Sequence, residues 1–136
     1  MKYMMIALGD ADYEAGKPPS PELMQAIGEL AEKAARSGKL VLQAGLQPTR
    51  AGWRMGLAKG KQYAVDGPFA ETKEVIGGFA IFECASRQEA MEFAQDFLDA
   101  HARCGIRDMG MEVRPLYGPG DMGCPSGDVA TAAAHA

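Results

Sequence analysis

The sequence predicts an α+β domain of ferredoxin-like βαββαβ order: an antiparallel sheet with two helices on one face and one inserted hairpin. Three observations carry this. Two capped segments, Ser20-Pro21-Glu22 and Ser86-Arg87-Gln88-Glu89, each open an apolar stripe at helical spacing. Short apolar or alternating runs lie before, between and after them. The resulting order is strand, helix, short strand, hairpin, strand, helix, strand, which reduces to βαββαβ once the hairpin is set aside.

Tyr3 to Leu8 is apolar on both alternations and is stopped by Gly9-Asp10, so it reads as a strand buried on both faces. Asp10 to Pro19 is polar, with a Gly and two Pro, and reads as a loop. Ser20 then caps a helix over Pro21–Ser37. Pro21 suits its first position, Leu23, Ile27, Leu30 and Ala34 form its stripe, and Gly38 supplies a left-handed stop. Leu40 to Gln43 is a short strand, and Gly45 to Gly52 a loop. Trp53–Ala58 and Gln62–Val65 flank Lys59-Gly60-Lys61, which predicts a hairpin with a three-residue turn. Ile76–Glu83, ending in Phe79-Ala80-Ile81-Phe82, is the clearest strand. A helix follows Ser86, with Ala90, Phe93, Ala94, Phe97 and His101 on one face and Gly105 beyond its end. Met109, Met111 and Val113 alternate with polar or small residues, which predicts a half-buried strand at a sheet rim.

The 136 residues divide into one domain over 1–117 and a Gly-, Pro- and Ala-rich tail over 118–136. A net charge of −4 argues against a general nucleic-acid binder, which needs a basic face. No apolar run approaches membrane length. Cys84, Cys104 and Cys124 are odd in number and lack a CxxC pair, so the expected setting is the reducing cytoplasm. The first strand and Ile76–Glu83 are apolar on both faces, yet two helices cover only one. A homodimer through the sheet faces would cover the other.

"VDGPFAETKEVIGGF", Val65 to Phe79, concentrates the candidate chemistry. Asp66 has two compatible readings: a general base beside an apolar wall, or an Asx-turn acceptor for the backbone amides of the Gly67-Pro68-Phe69 turn. Glu71 and Lys73 share one side of an extended segment. Lys73 either stabilises an anionic substrate or, like Glu74, sits in a solvated ion pair worth about 0–1 kcal/mol. Gly77-Gly78 asks for a close neighbour: a dimer seam, a ligand or a bulge. Trp53 and Phe69 serve as pocket walls or as packing. Arg50 and Arg54 are clamp candidates or solvated rim charges. His101 and Cys104 are too few for a metal site. Dinucleotide, P-loop and nucleophile-elbow motifs are absent, so cofactor-free acid–base work is the expectation, with no metal and no cofactor.

These residues resemble the YCII-related family, and in particular its DGPF-motif branch. "MKYMMIALGD", "GLQP" at Gly45–Pro48 and "MEVRPL" at Met111–Leu116 match the same pattern in the same order. The resemblance implies a dimeric α+β barrel. It implies relatives that include a dehydrochlorinase acting on a chlorinated hydroxyquinol, within a superfamily holding muconolactone isomerases and cofactor-independent monooxygenases. DGPF-type proteins also resemble accessory proteins of extracytoplasmic-function sigma factors. The His–Asp pair proposed as catalytic in the better-known branch does not carry over, because the only histidines here are His101 and His135. The expected catalytic set is Asp66, Lys73 and Glu71, with Gly67, Phe69, Trp53, Arg54 and Gly78 binding a small organic acid or phenol. The alternative is a non-catalytic module with a sigma-factor-linked partner.

Overall fold

The computed structural model describes residues 1–69 and 75–121. The elements are β1 (Lys2–Leu8), α1 (Ala11–Glu14), α2 (Pro21–Arg36), β2 (Leu40–Gly45), a 3₁₀ turn η1 (Thr49–Ala51), β3 (Trp53–Ala58), β4 (Lys61–Asp66), β5 (Ile76–Glu83), α3 (Arg87–Arg103) and β6 (Met111–Pro115). β2, β5, β1 and β6 form a sheet in that order, with every ladder antiparallel. The two runs that are apolar on both faces, β1 and β5, are its interior strands.

The expected closure into a dimeric α+β barrel is corrected. Among the described residues no ladder joins the outer edges of β2 and β6, so the sheet is open. Among the described residues β3 and β4 pair only with each other and form a separate two-stranded sheet. What stands is an α+β arrangement of an open four-stranded sheet, two main helices and a hairpin arm.

Each main helix begins as its cap dictates. Ser20 accepts from the Leu23 amide at 3.2 Å, and Ser86 from the Glu89 amide at 3.2 Å. The Glu89 carboxylate of the second capping box accepts from Lys39 Nζ. Tyr3 and Met5 of β1 meet Cys84, Ala90 and Ala94 in the core, and Phe82 of β5 stacks on Phe93 of α3 with centroids 4.5 Å apart. The small Ala90, Ala94 and Ala100 are buried along α3, which lets its backbone lie close to the sheet. Burying a side chain such as Met5 contributes roughly 1.5–3 kcal/mol.

Met4, Ile81 and Leu42 lie in cross-strand register on the sheet's other face, alternating with the core-facing Tyr3 and Phe82. Phe79 and Ala44 continue that face, and Arg114 and Glu112 bound it on β6.

Two turns differ from expectation. The hairpin turn has two residues, since Ala58 pairs with Lys61, and Lys59 and Gly60 both have positive φ (52° and 78°). That is the mirror-image turn that suits strand twist. Gly77 is a bulge, because Ala7 pairs with Gly78 while Leu8 pairs with Ile76. A Cβ on Gly78 would stand 3.0 Å from the Ala44 carbonyl oxygen. Within the chain, the Gly pair answers to a bulge and to the close approach of β2.

Candidate active site

The β3–β4 ladder pairs Trp53 with Asp66, so both side chains share one face of the hairpin base. Arg54 lies on the opposite face, with its guanidinium 4.1 Å from the centroid of the Phe69 ring. The chain then turns through Gly67, Pro68 and Phe69, with a cis Gly67–Pro68 peptide.

The turn is held by η1 and the residue after it. Gly67 N–H donates to the Gly52 carbonyl at 3.0 Å, and Phe69 N–H donates to Thr49 Oγ1 at 3.1 Å. A Cβ on Gly67 would fall 1.9 Å from the Thr49 carbonyl oxygen, so only glycine fits there. Pro68, two residues past Asp66, has no amide for an Asx-turn, and the Gly67 and Phe69 amides are committed elsewhere, so Asp66 does not cap this backbone. The Asp66 carboxylate takes part in no hydrogen bond or ion pair among the described residues and is exposed. Trp53 beside it is 63% exposed, so the described residues do not enclose Asp66 in an apolar wall.

Glu71, Lys73 and Glu74 lie outside the described residues, as do Cys124 and His135. Gly78 sits within β5 against β2. His101 Nδ1 bonds the Phe97 carbonyl at 2.8 Å and its ring tilts on Phe97, which gives it a place at the end of α3. Among the described residues no three His, Cys, Asp or Glu side chains converge as metal ligands, and no helix is long and apolar enough to cross a membrane. Two shallow recesses stand apart from Asp66. One of about 440 Å³ lies between α2 and α3, lined by Lys33, Asp96, Asp99 and Arg103, and one of about 300 Å³ lies on the hairpin at Met55, Leu57 and Gln62.

Two residues absent from the sequence-based set support the turn: Glu14 and Thr49. Asp10 accepts from Tyr13 N–H at 2.8 Å and caps α1, a single helical turn. The signal was present in Asp10-Ala11-Asp12-Tyr13-Glu14, an N-cap followed by acidic residues. Glu14 Oε1 accepts the Thr49 amide at 2.6 Å, and Glu14 Oε2 accepts the Thr49 hydroxyl. The Thr49 hydroxyl, then the Thr49 amide, hold the Glu14 carboxyl below the usual glutamate range; Arg50 adds a smaller push in the same direction. Arg50 Nη1 donates to the Glu14 carbonyl at 3.2 Å, which accounts for a residue considered for a substrate clamp. The Tyr13 hydroxyl is buried without a hydrogen-bond partner among the described residues. Burial pushes its pKa up, and the nearby Leu46 backbone offsets part of that rise without reaching hydrogen-bond geometry.

The YCII-related domain matches residues 1–106. An uncharacterized protein of Rhizobium meliloti is 35% identical over 126 residues, covering 90% of this chain and 98% of that protein. Among solved structures, a 5-chloro-2-hydroxyhydroquinone dehydrochlorinase from Burkholderia phenoliruptrix, in complex with 2,5-dihydroxybenzoquinone, aligns with a TM-score of 0.46 at 16% identity, over 87% of this chain and 96% of that one. The domain match spans well over half of the sequence, and the chain belongs to the YCII-related domain family.

Proposed function

We propose that this chain falls in the DGPF-motif branch of its family and performs cofactor-independent proton chemistry on a small organic acid or phenol. One observation carries the reading: the turn amides are bonded to Gly52 and Thr49, which leaves the Asp66 carboxylate unspent on a backbone of fixed shape. A carboxylate held that way is suited to take a proton from an activated carbon or hydroxyl. In isomerisation the proton returns at a second carbon; in elimination a leaving group departs with the bonding pair. Lys73 faces the developing negative charge in this reading, with Glu71 beside it. Trp53, which shares a hairpin face with Asp66, is the described residue of the expected binding set that stands beside it. The free thiols of Cys84 and Cys104 support a cytoplasmic setting.

The test is solvent-deuterium incorporation across a panel of small phenols and unsaturated acids. Asp66→Asn is expected to lower the rate by about 10²-fold or more while the fold is kept. A folded Asp66→Asn protein with full turnover discards the assignment.

A specific observation favours a second reading, an interaction module with a protein partner such as one linked to a sigma factor. Trp53, Met55 and Leu57 line one hairpin face at 63%, 64% and 72% exposure, and Tyr63 and Val65 stand exposed on the other. Isolated two-stranded hairpins are marginal in water, so such an arm wants cover. A second copy is the economical source for the arm and the helix-free sheet face, and sedimentation showing a stable monomer would remove it. Ligand binding alongside a pull-down that recovers no partner counts against the protein-partner reading.

A further inference from the structure

We propose that Glu14 is a positioning residue for the Asp66 turn, acting through Thr49. The inference rests on the reading of Asp66 as the working carboxylate and adds how that group is aimed. The Thr49 hydroxyl has one proton to give, and Phe69 N–H occupies one of its lone pairs at 3.1 Å. Its proton goes to Glu14 Oε2, while Glu14 Oε1 takes the Thr49 amide at 2.6 Å. One carboxylate therefore fixes both the rotamer and the backbone of Thr49. The second anchor of the turn, the Gly52 carbonyl, closes the same 3₁₀ turn: Gly52 N–H donates to the Thr49 carbonyl at 3.0 Å. Both amide anchors of the Asp66 turn thus stand on η1.

Glu14 is itself braced. Arg50 returns to its carbonyl at 3.2 Å, and Tyr13, one residue earlier, sets its ring beside Gly9. A single helical turn does not persist alone, because helix nucleation is unfavourable. It persists here because Asp10 caps it and Thr49 and Arg50 tie it to the loop after β2. The polarity of the relay runs one way: amide to hydroxyl to carboxylate. An ordinary packing contact would tolerate an apolar isostere at Thr49; a relay would not.

The experiment uses the full chain and needs no substrate. Thr49→Val removes both roles of the hydroxyl at nearly constant shape, and Thr49→Ser restores them. Glu14→Gln presents an amide donor where two donors must be accepted. Exchange of the Phe69 and Gly67 amides is expected to accelerate about tenfold in Thr49→Val and Glu14→Gln. It is expected to return to the wild-type rate in Thr49→Ser, with the Ala58 and Lys61 amides at the far end of the hairpin unchanged throughout. The emission of Trp53, the only tryptophan and the cross-strand neighbour of Asp66, is expected to shift in the same two variants. Unchanged Phe69 exchange in both variants, or failure of Thr49→Ser to rescue it, overturns the proposal. Asp66→Asn keeps Phe69 protection in this account, so loss of the base assignment and loss of the relay are read separately.

Discussion

Gly67 lies so close to Thr49 that a Cβ added to it would overlap the Thr49 carbonyl oxygen, at 1.9 Å. The offending atom is backbone, so no rotamer change relieves the clash. Gly67→Ala is therefore expected to cost about 1–3 kcal/mol, as overpacking does, and to push the turn off η1. A urea midpoint gives the loss, and Trp53 emission reports the displacement. An alanine variant with both unchanged would mean that the turn does not rest on Thr49.

Acid should weaken the fold through three carboxylates. Glu14 is held low by Thr49, Glu83 by the N-terminal ammonium and then Lys2, and Glu89 by Lys39. Their folded-state values lie below their unfolded ones, so the stability they add is fully present above the ordinary glutamate value and is lost as pH falls through the lowered ones. Urea midpoints from pH 7 downward should hold and then drop in the acid range. Glu14→Gln should flatten that drop; an identical profile would show that the Glu14–Thr49 contact carries no proton linkage.

Lys59 adopts φ 52° in the two-residue hairpin turn, a conformation that Asn and Gly accept more readily. Lys59→Asn is expected to raise the melting temperature, by relieving up to about 1 kcal/mol of backbone strain. A lower melting temperature would contradict the mirror-image turn.

Ala100 is fully buried on α3, at 0% exposure. Ala100→Leu has no space to fill and is expected to destabilise by about 1–3 kcal/mol in urea titration. Neutral behaviour would mean that α3 stands further from its neighbours than the structure places it.

The Cys84 thiol, 1% exposed, is pushed up chiefly by burial. A thiolate-selective reagent followed by peptide mass mapping should modify Cys104 in the folded protein and reach Cys84 only on unfolding. Prompt modification of Cys84 under native conditions would refute its burial.

The parts legible in the sequence are those written in local chemistry. Ser20 and Ser86 announce their helices because a cap acts within three residues, and β5 is visible because its apolar run is uninterrupted. Features that depend on distant segments were hidden. α1 is too short to show periodicity. The Thr49 hydroxyl matters only because Glu14 and Phe69 arrive beside it from 35 and 20 residues away. The Asx-turn reading of Asp66 failed because Pro68 offers no amide and distant Thr49 and Gly52 take those of Phe69 and Gly67. The barrel failed because closure depends on the edges of β2 and β6, and alternation along a strand says which faces are apolar without saying what covers them. The Gly77-Gly78 pair was read correctly as a close approach, but the approaching chain is β2.

The sheet order β2-β5-β1-β6 also bears on when the fold can form. During synthesis, β1 emerges first and β2 soon after, yet neither is a neighbour of the other. Up to Asp66 the only ladder available is the β3–β4 hairpin. β1 finds its first partner when β5 is complete, more than sixty residues behind it, and its second when β6 follows. The nascent chain must carry an apolar, unpaired leading strand through half its length. Long-range antiparallel pairing of this kind is slow and prone to aggregation. β5 is the strand that joins β2 and β1 into one sheet, so neither has its ladder to the other side of the sheet before β5 is made.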